Sequence, residues 1–355
     1  MLTKPQQRHT GQLLAEANHS SEQLLHRFCV APMMDWTDRH DRRFLRLLSK
    51  RALLYTEMVT SAALIHGDHT ALLEHSAEEY PLALQLGGSD PKQLAVAARM
   101  GADAGFCEIN LNVGCPSERV QNGAFGACLM AEPELVAECV SAMKAAVDIP
   151  VTVKCRIGID DQDSEAALQH FVQTVAAGGC ELFIIHARKA ILKGLSPKQN
   201  REIPPLDYPR VYRLKQHFAD LQIILNGGLT DLPTAQAQLQ HVDGVMLGRE
   251  AYQNPFILAG VDASFYGEQD RQITRQQALE EYFPYVESEL ARGTPLQHIS
   301  RHLLGLFKGE RGGKQFRRHL SENAYRTDAG IDVLKQAYAL TNHASLHDEI
   351  QEHSL

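Results

Sequence analysis

The sequence predicts a closed (β/α)₈ TIM barrel followed by a small all-helical domain, and three observations predict it. Eight short apolar, β-branched runs recur from Phe28 onward. Helical stretches with their own start signals fill the gaps. After about residue 260 the strand-like runs stop while helical periodicity continues. Continuous apolar strands alternating with helices mark parallel strands buried on both faces. Eight such units over about 225 residues fit a closed barrel better than an open doubly wound sheet.

The eight runs are FCVAP (28–32), ALLYTEM (52–58), LALQLGG (82–88), FCEINLN (106–112), VTVKCR (151–156), LFIIHAR (182–188), QIILNGG (222–228) and DGVMLGR (243–249). Between them, Asp90-Pro91 and Glu132-Pro133 read as helix starts, with Pro in the first turn. Asp163-Ser164 precedes EAALQHFVQTVAAGG, whose closing Gly pair suits a C-cap. Residues 272–341 carry helical periodicity alone, and the tail after about 342 reads as polar and frayed. The expected organisation is a flexible extension over 1–27, a barrel over 28–260 and a helical domain over 261–355.

Composition narrows the class. The chain has 355 residues, 44% hydrophobic and 22% charged, which is globular. No stretch approaches the roughly 18 uninterrupted apolar residues of a membrane helix. The polar N-terminus lacks the apolar centre of a secretory signal. Seven scattered cysteines without a C-x-x-C pair suggest neither a disulfide framework nor a metal site. Reduced thiols fit a cytoplasmic protein. Net charge is −8, yet residues 187–201 hold five basic groups and no acid. Residues 301–318 hold six basic groups and one acid. That leaves 24 basic against 42 acidic groups, or −18, elsewhere. Two basic stretches on an acidic body can bind a polyanion locally, although runs of charge are usually just solvated faces.

Barrel enzymes build their sites at the C-terminal ends of the strands. Here those ends carry Pro32, Met33 and Met34; Gln85; Asn110, Asn112 and Cys115; Lys154; His186; Asn226, Gly227 and Gly228; and Gly248 with Arg249. Glycine turns after strands 7 and 8 let backbone N–H groups approach a phosphate, and Arg249 adds a forked cation. A strand-end lysine can sit at the N1–C2 edge of a flavin and stabilise its reduced form. Gln85 offers a donor and an acceptor to a pyrimidine-like edge, and His186 suits a phosphate or a substrate. Lys154 also admits a Schiff-base role, as in a barrel aldolase, or a buried ion pair. Cys115, between Gly114 and Pro116, falls on a loop over the barrel mouth. A thiol with no neighbour to depress it stays mostly protonated near neutrality, which suits a proton donor better than a thiolate nucleophile. The other six cysteines read as packing residues.

APMMDWTD (31–38), LNVGCPSERVQNGAFGACLM (111–130), HARKAILKGLSPKQNREIPPLDY (186–208) and NGG…DGVMLGREAYQNP resemble the tRNA-dihydrouridine synthase family over nearly the whole chain from Phe28 to about Leu340. Within it they resemble the A subfamily, which acts at positions 20 and 20a of the D-loop. The resemblance implies an oxidoreductase that uses NADPH and tightly bound FMN. It implies FMN contacts from Pro32, Met33, Met34, Gln85, Lys154, His186, Asn226, Gly227, Gly228, Gly248 and Arg249. It implies Cys115 as catalytic acid. It also implies tRNA contacts from Asn112 and from two i, i+3 pairs, Lys198 with Arg201 and Lys314 with Arg317; Arg311 or Arg318 could replace a member of the second. A monomer without metal is expected. A small-molecule flavin reductase, a class I aldolase and a non-catalytic RNA-binding barrel remain the alternatives.

Overall fold

The computed structural model describes residues 25–352 apart from 118, 119 and 122, with side chains through 341. Eight parallel strands form one sheet: β1 (Phe28–Val30), β2 (Leu54–Thr60), β3 (Leu82–Gly87), β4 (Glu108–Val113), β5 (Val151–Arg156), β6 (Leu182–His186), β7 (Gln222–Asn226) and β8 (Gly244–Leu247). The order β1-β8-β7-β6-β5-β4-β3-β2 closes between β1 and β2 through Leu53. Its N–H donates to Phe28 O at 3.0 Å, and its carbonyl accepts from Val30 N at 2.9 Å. Each of the eight apolar runs contributes a strand, because each is long enough to cross the barrel and buried on both faces.

The helix starts behave as their chemistry dictates. Asp90 accepts from Lys92 N and Gln93 N to cap the Pro91–Asp103 helix. Ser164 caps Glu165–Ala177. Pro133 begins Pro133–Ala146, where Glu132 holds the cap position without a side-chain bond. Beyond the barrel lie the helices Val261–Tyr266, Arg275–Ala291, Leu296–Ser300, Gly313–Asn323 and Ile331–Glu352. The segment after 342, expected to fray, continues the last of these helices. Among the described residues no helix is long and apolar enough to cross a membrane.

Most of the expected extension, 1–24, lies outside the described residues, but its last residues belong to the barrel. His26 is buried and hydrogen-bonds Glu108 at the base of β4. Glu108 is fully buried and also accepts from Tyr55 Oη at 2.8 Å and Thr152 Oγ1 at 2.6 Å. Burial alone would raise its pKa, but the charge and hydrogen bond of His26, with Thr152 and Tyr55, hold it below the usual value.

The helical region packs on the helix that follows β1, Arg39–Leu48, and on its N-cap Asp38. Phe44 and Tyr282 meet edge to face at 5.1 Å, both fully buried. Around them run ion pairs: Arg39 to Glu289 at 2.6 Å, Arg292 to Glu289 at 3.0 Å, and Arg301 to Asp38 at 2.6 Å. Burial would push Glu289 up, but hydrogen bonds from Arg39 and Thr294 hold its carboxyl at about 2. A carboxyl depressed from an ordinary value near 4.3 contributes stability that is full above that value and lost as pH falls toward about 2. Glu289→Gln should therefore unfold at a lower temperature than the wild type at pH 7. The gap should narrow at pH 4 and vanish by about pH 2. Thermal melts at the three pH values check this, and a gap that persists in acid would exclude the ion pair as its cause.

Candidate active site

The C-terminal mouth of the barrel opens into a cavity of about 1290 Å³. The inward strand ends and the loops after them build it. The expected residues Pro32, Met33, Met34, Gln85, Asn112, Cys115, Lys154, His186, Arg201, Asn226, Gly227, Gly228, Gly248 and Arg249 all line it. Single small-ligand pockets run to roughly 300–1,000 Å³, so this one has room for a cofactor and a substrate group together.

A one-way ladder of hydrogen bonds rises through the barrel to this mouth. Thr152 Oγ1 donates to Glu108. Asn110 Nδ2 donates to Thr152 Oγ1, Gln85 Nε2 to Asn110 Oδ1, and Asn112 Nδ2 to Gln85 Oε1, each at 2.8 Å. Asn112 Oδ1 then accepts from Gly114 N at 3.1 Å and Cys115 N at 3.0 Å. Bonds aligned in one direction polarise one another, and every amide orientation is dictated by the carboxylate at the base. Asn112 thus spends both acceptor positions on the loop and keeps one N–H to offer.

The ladder pins the backbone of Cys115 from one side. From the other, Cys115 O accepts from Ala127 N at 2.9 Å. Gly126 makes that approach possible: its φ is +76°, and a Cβ there would meet Cys115 O at 2.7 Å and Val120 Cγ1 at 2.4 Å. The thiol donates to Ser117 Oγ at 3.6 Å. Along the chain Cys115 has no cation beside it, but the fold brings three: Lys154, Arg156 and Arg201 all interact electrostatically with it.

Lys154 Nζ donates to Asn226 Oδ1 at 3.0 Å, and Asn226 Nδ2 donates to Met246 O at 2.7 Å. Burial, then the charge of Arg156, push Lys154 down to about 8. Burial, then Arg156 and Lys154, hold His186 well below its ordinary value, so its imidazole is neutral at pH 7. Its Nδ1 is buried without a protein partner, as is Arg201 Nε. Both atoms belong to cavity-lining residues, where a ligand could supply the missing partner.

The glycine turns are conformationally required. Gly227 and Gly228 have φ of +109° and +74°, and a Cβ on Gly228 would lie 2.4 Å from Leu206 Cδ1. Beside Gly248 no protein atom would come closer than 3.8 Å to a Cβ, so that space opens into the cavity. Arg249 pairs with Glu202 at 2.9 Å. Both are more than a third exposed, and such pairs contribute about 0–1 kcal/mol, so an incoming anion can displace Glu202.

The basic pairs divide. On the turn after Pro197, Arg201 is half-buried in the cavity wall, while Lys198 faces solvent outside it. Lys314 and Arg317 are exposed on the Gly313–Asn323 helix and border a shallow pocket with Arg311. Arg318 instead pairs with Glu322 at 2.7 Å. Trp36 and Arg156 are among the lining residues that escaped the sequence reading. Trp36 stacks on Tyr252 at 4.4 Å, which joins residues far apart in the chain. Arg156 was findable, since Thr152, Lys154 and Arg156 alternate along β5 and share its inward face. Among the described residues no cluster of side chains suits a metal ion.

Comparison with known proteins agrees with this architecture. A 2-naphthoyl-CoA reductase solved with 2-naphthoyl-CoA matches with a TM-score of 0.54 at 11% identity, over 66% of this chain and 49% of its own; it shares the barrel fold. The tRNA-dihydrouridine(20/20a) synthase of Vibrio vulnificus (strain CMCP6) is 60% identical over 314 residues, 88% of this chain and 96% of its own. Those of Shewanella oneidensis and Escherichia coli (strain K12) are 60% and 61% identical, over 90% and 88% of this chain and 95% and 91% of theirs. Residues 29–343 match the family described as Dihydrouridine synthase (Dus). The chain belongs to the dihydrouridine synthase family and is an enzyme of that family.

Proposed function

We propose that this enzyme reduces uridines 20 and 20a in the D-loop of tRNA to 5,6-dihydrouridine, with FMN as its flavin, NADPH as reductant and Cys115 as proton donor. The observation that carries the reading is the convergence of Cys115, Lys154, His186 and the two glycine turns on one cavity large enough for a flavin and a base. The relatives' names support the substrate. Family membership argues against the aldolase and small-molecule reductase alternatives. We take the working unit to be a cytoplasmic monomer.

Pro32, Met33, Met34 and Gln85 would hold the ring. Lys154 would face its N1–C2 edge as the nearby cation. The unpartnered His186 Nδ1, the N–H groups of Gly227, Gly228 and Gly248, and Arg249 released from Glu202 suit the phosphate. When bound, the reduced flavin supplies hydride to C6 of the uracil. The chain does the rest. Lys198, with Lys314 and Arg317 on the helical region, attracts the RNA backbone. The target base leaves its stack, which costs least in a loop. The free N–H of Asn112 and the unpartnered Nε of Arg201 meet carbonyl oxygens of the base. The Cys115 thiol gives its proton to C5, and the thiolate it leaves sits in the field of Lys154, Arg156 and Arg201.

Cys115→Ala should keep its yellow colour and its tRNA affinity while uridine reduction falls about 10²–10⁴-fold, the usual contribution of a positioned acid. Near wild-type turnover in that variant would refute the acid role. Lys198→Glu should weaken tRNA binding and flatten its salt dependence, leaving NADPH oxidation by an artificial acceptor unchanged; affinity measured across a salt series checks it. Gly228→Ala should purify with less flavin per chain, read from the ratio of visible to ultraviolet absorbance, because a side chain at φ +74° also collides with Leu206.

A further inference from the structure

Arg156 is a buried cation that pairs with no carboxylate among the described residues. Only 4% of it is exposed, and its hydrogen bonds run to three backbone carbonyls. Nε donates to Gly114 O at 2.9 Å, and Nη1 donates to Lys189 O and to Asn200 O, each at 3.1 Å. Those carbonyls belong to the loop after β4, one residue before Cys115, and to two points of the loop after β6, the second adjacent to Arg201. Burial pushes the guanidinium down to about 10, so it stays charged at neutrality. A planar fork places its donors on separate nitrogens in fixed directions and so reaches carbonyls of two loops at once; a lysine head gathers its three donors on one nitrogen and lacks that fixed spread.

A second strap joins the same two loops. Gln121 Nε2 donates to Pro116 O at 2.8 Å and to Leu192 O at 3.0 Å. The β6 loop is also braced from within, where the Asn200 side chain binds Ile191 N at 2.7 Å and Ile191 O at 2.9 Å. The loop carrying the thiol and the loop carrying Arg201 are thus tied at two places, one on each side of Cys115.

We propose that Arg156 is a positioning residue that joins the Cys115 loop to the basic 189–201 loop, so that the proton donor and Arg201 hold one fixed geometry over the bound base. This rests on the reading of Cys115 as the acid. Arg156 touches backbone carbonyls and transfers no proton itself; it acts through the placement of the thiol.

The test uses the full-length flavin-loaded enzyme with Arg156→Lys and, separately, Gln121→Ala. Arg156→Lys keeps the charge and loses the fork. Its flavin absorbance, its rate of reduction by NADPH and its tRNA affinity should stay within twofold of wild type. Single-turnover uridine reduction should fall at least tenfold, with kcat rather than KM affected. The solvent deuterium effect on that step should grow, because a displaced acid makes proton transfer slow, whereas a merely destabilised fold would leave it unchanged. Gln121→Ala should show the same pattern more weakly. Arg156→Lys reducing uridine within twofold of wild type, with normal colour and affinity, would overturn the proposal. If Arg156→Lys does not fold, Gln121→Ala decides, and an unchanged kcat and isotope effect there overturns it. Cys115→Ala in parallel separates the two ideas. Full turnover in that variant sinks the acid role, whereas its loss beside an active Arg156→Lys sinks only the coupling.

Discussion

Everything at the mouth of this barrel depends on one buried carboxylate at its floor. Glu108 has no exposed surface, and an unpaired ion there would cost several kcal/mol. It is retained because His26, Tyr55 and Thr152 satisfy it. With its lone pairs filled by donors, Thr152 can only accept from above, and the constraint passes through Asn110, Gln85 and Asn112 to the N–H of Cys115. A breach anywhere leaves buried groups facing like groups. The ladder therefore spans the barrel and the site as one connected network.

The second organising fact is a surplus of positive charge around the thiol. Lys154, Arg156 and Arg201 share a cavity wall where His186 stays neutral, and burial, then the charge of Arg156, push Lys154 down. Such a cluster is unfavourable when empty and becomes favourable when an anion or a developing negative charge arrives. The same logic holds at the rim, where Arg249 rests on an exposed, weakly held Glu202 that a phosphate can replace.

The strands were legible in the sequence because a parallel barrel strand is buried on both faces and its short run, rich in apolar and β-branched residues, stands out from the helices beside it. The expected cavity residues were legible because the fold confines its chemistry to strand ends, so the strand assignment already points to Gln85, Lys154 and His186. What escaped was pairing across long separations. His26 reads as the end of a polar tail, yet its partner Glu108 lies 82 residues away. Nothing in N-V-G-C-P-S reveals that Lys154, Arg156 and Arg201 come within electrostatic reach of Cys115. Lys198 and Arg201 look like a matched pair at i, i+3, but the turn that carries them sends one outward and the other into the wall. Arg156 was visible as a third inward residue of β5, and its significance lay in three carbonyls that sequence does not display.

Barrel closure has a consequence for biosynthesis. Every side chain of the ladder above His26 lies on β2 to β5 and has been made once Thr152 is complete. The partner of β1 across the seam, β8, spans Gly244–Leu247. A chain emerging from the ribosome can therefore assemble its polar axis in a half-barrel while one edge of β1 still lacks its neighbour, and an unpaired edge of that kind is open to foreign strands. Over the interval between those two events that edge stays open until β8 covers it.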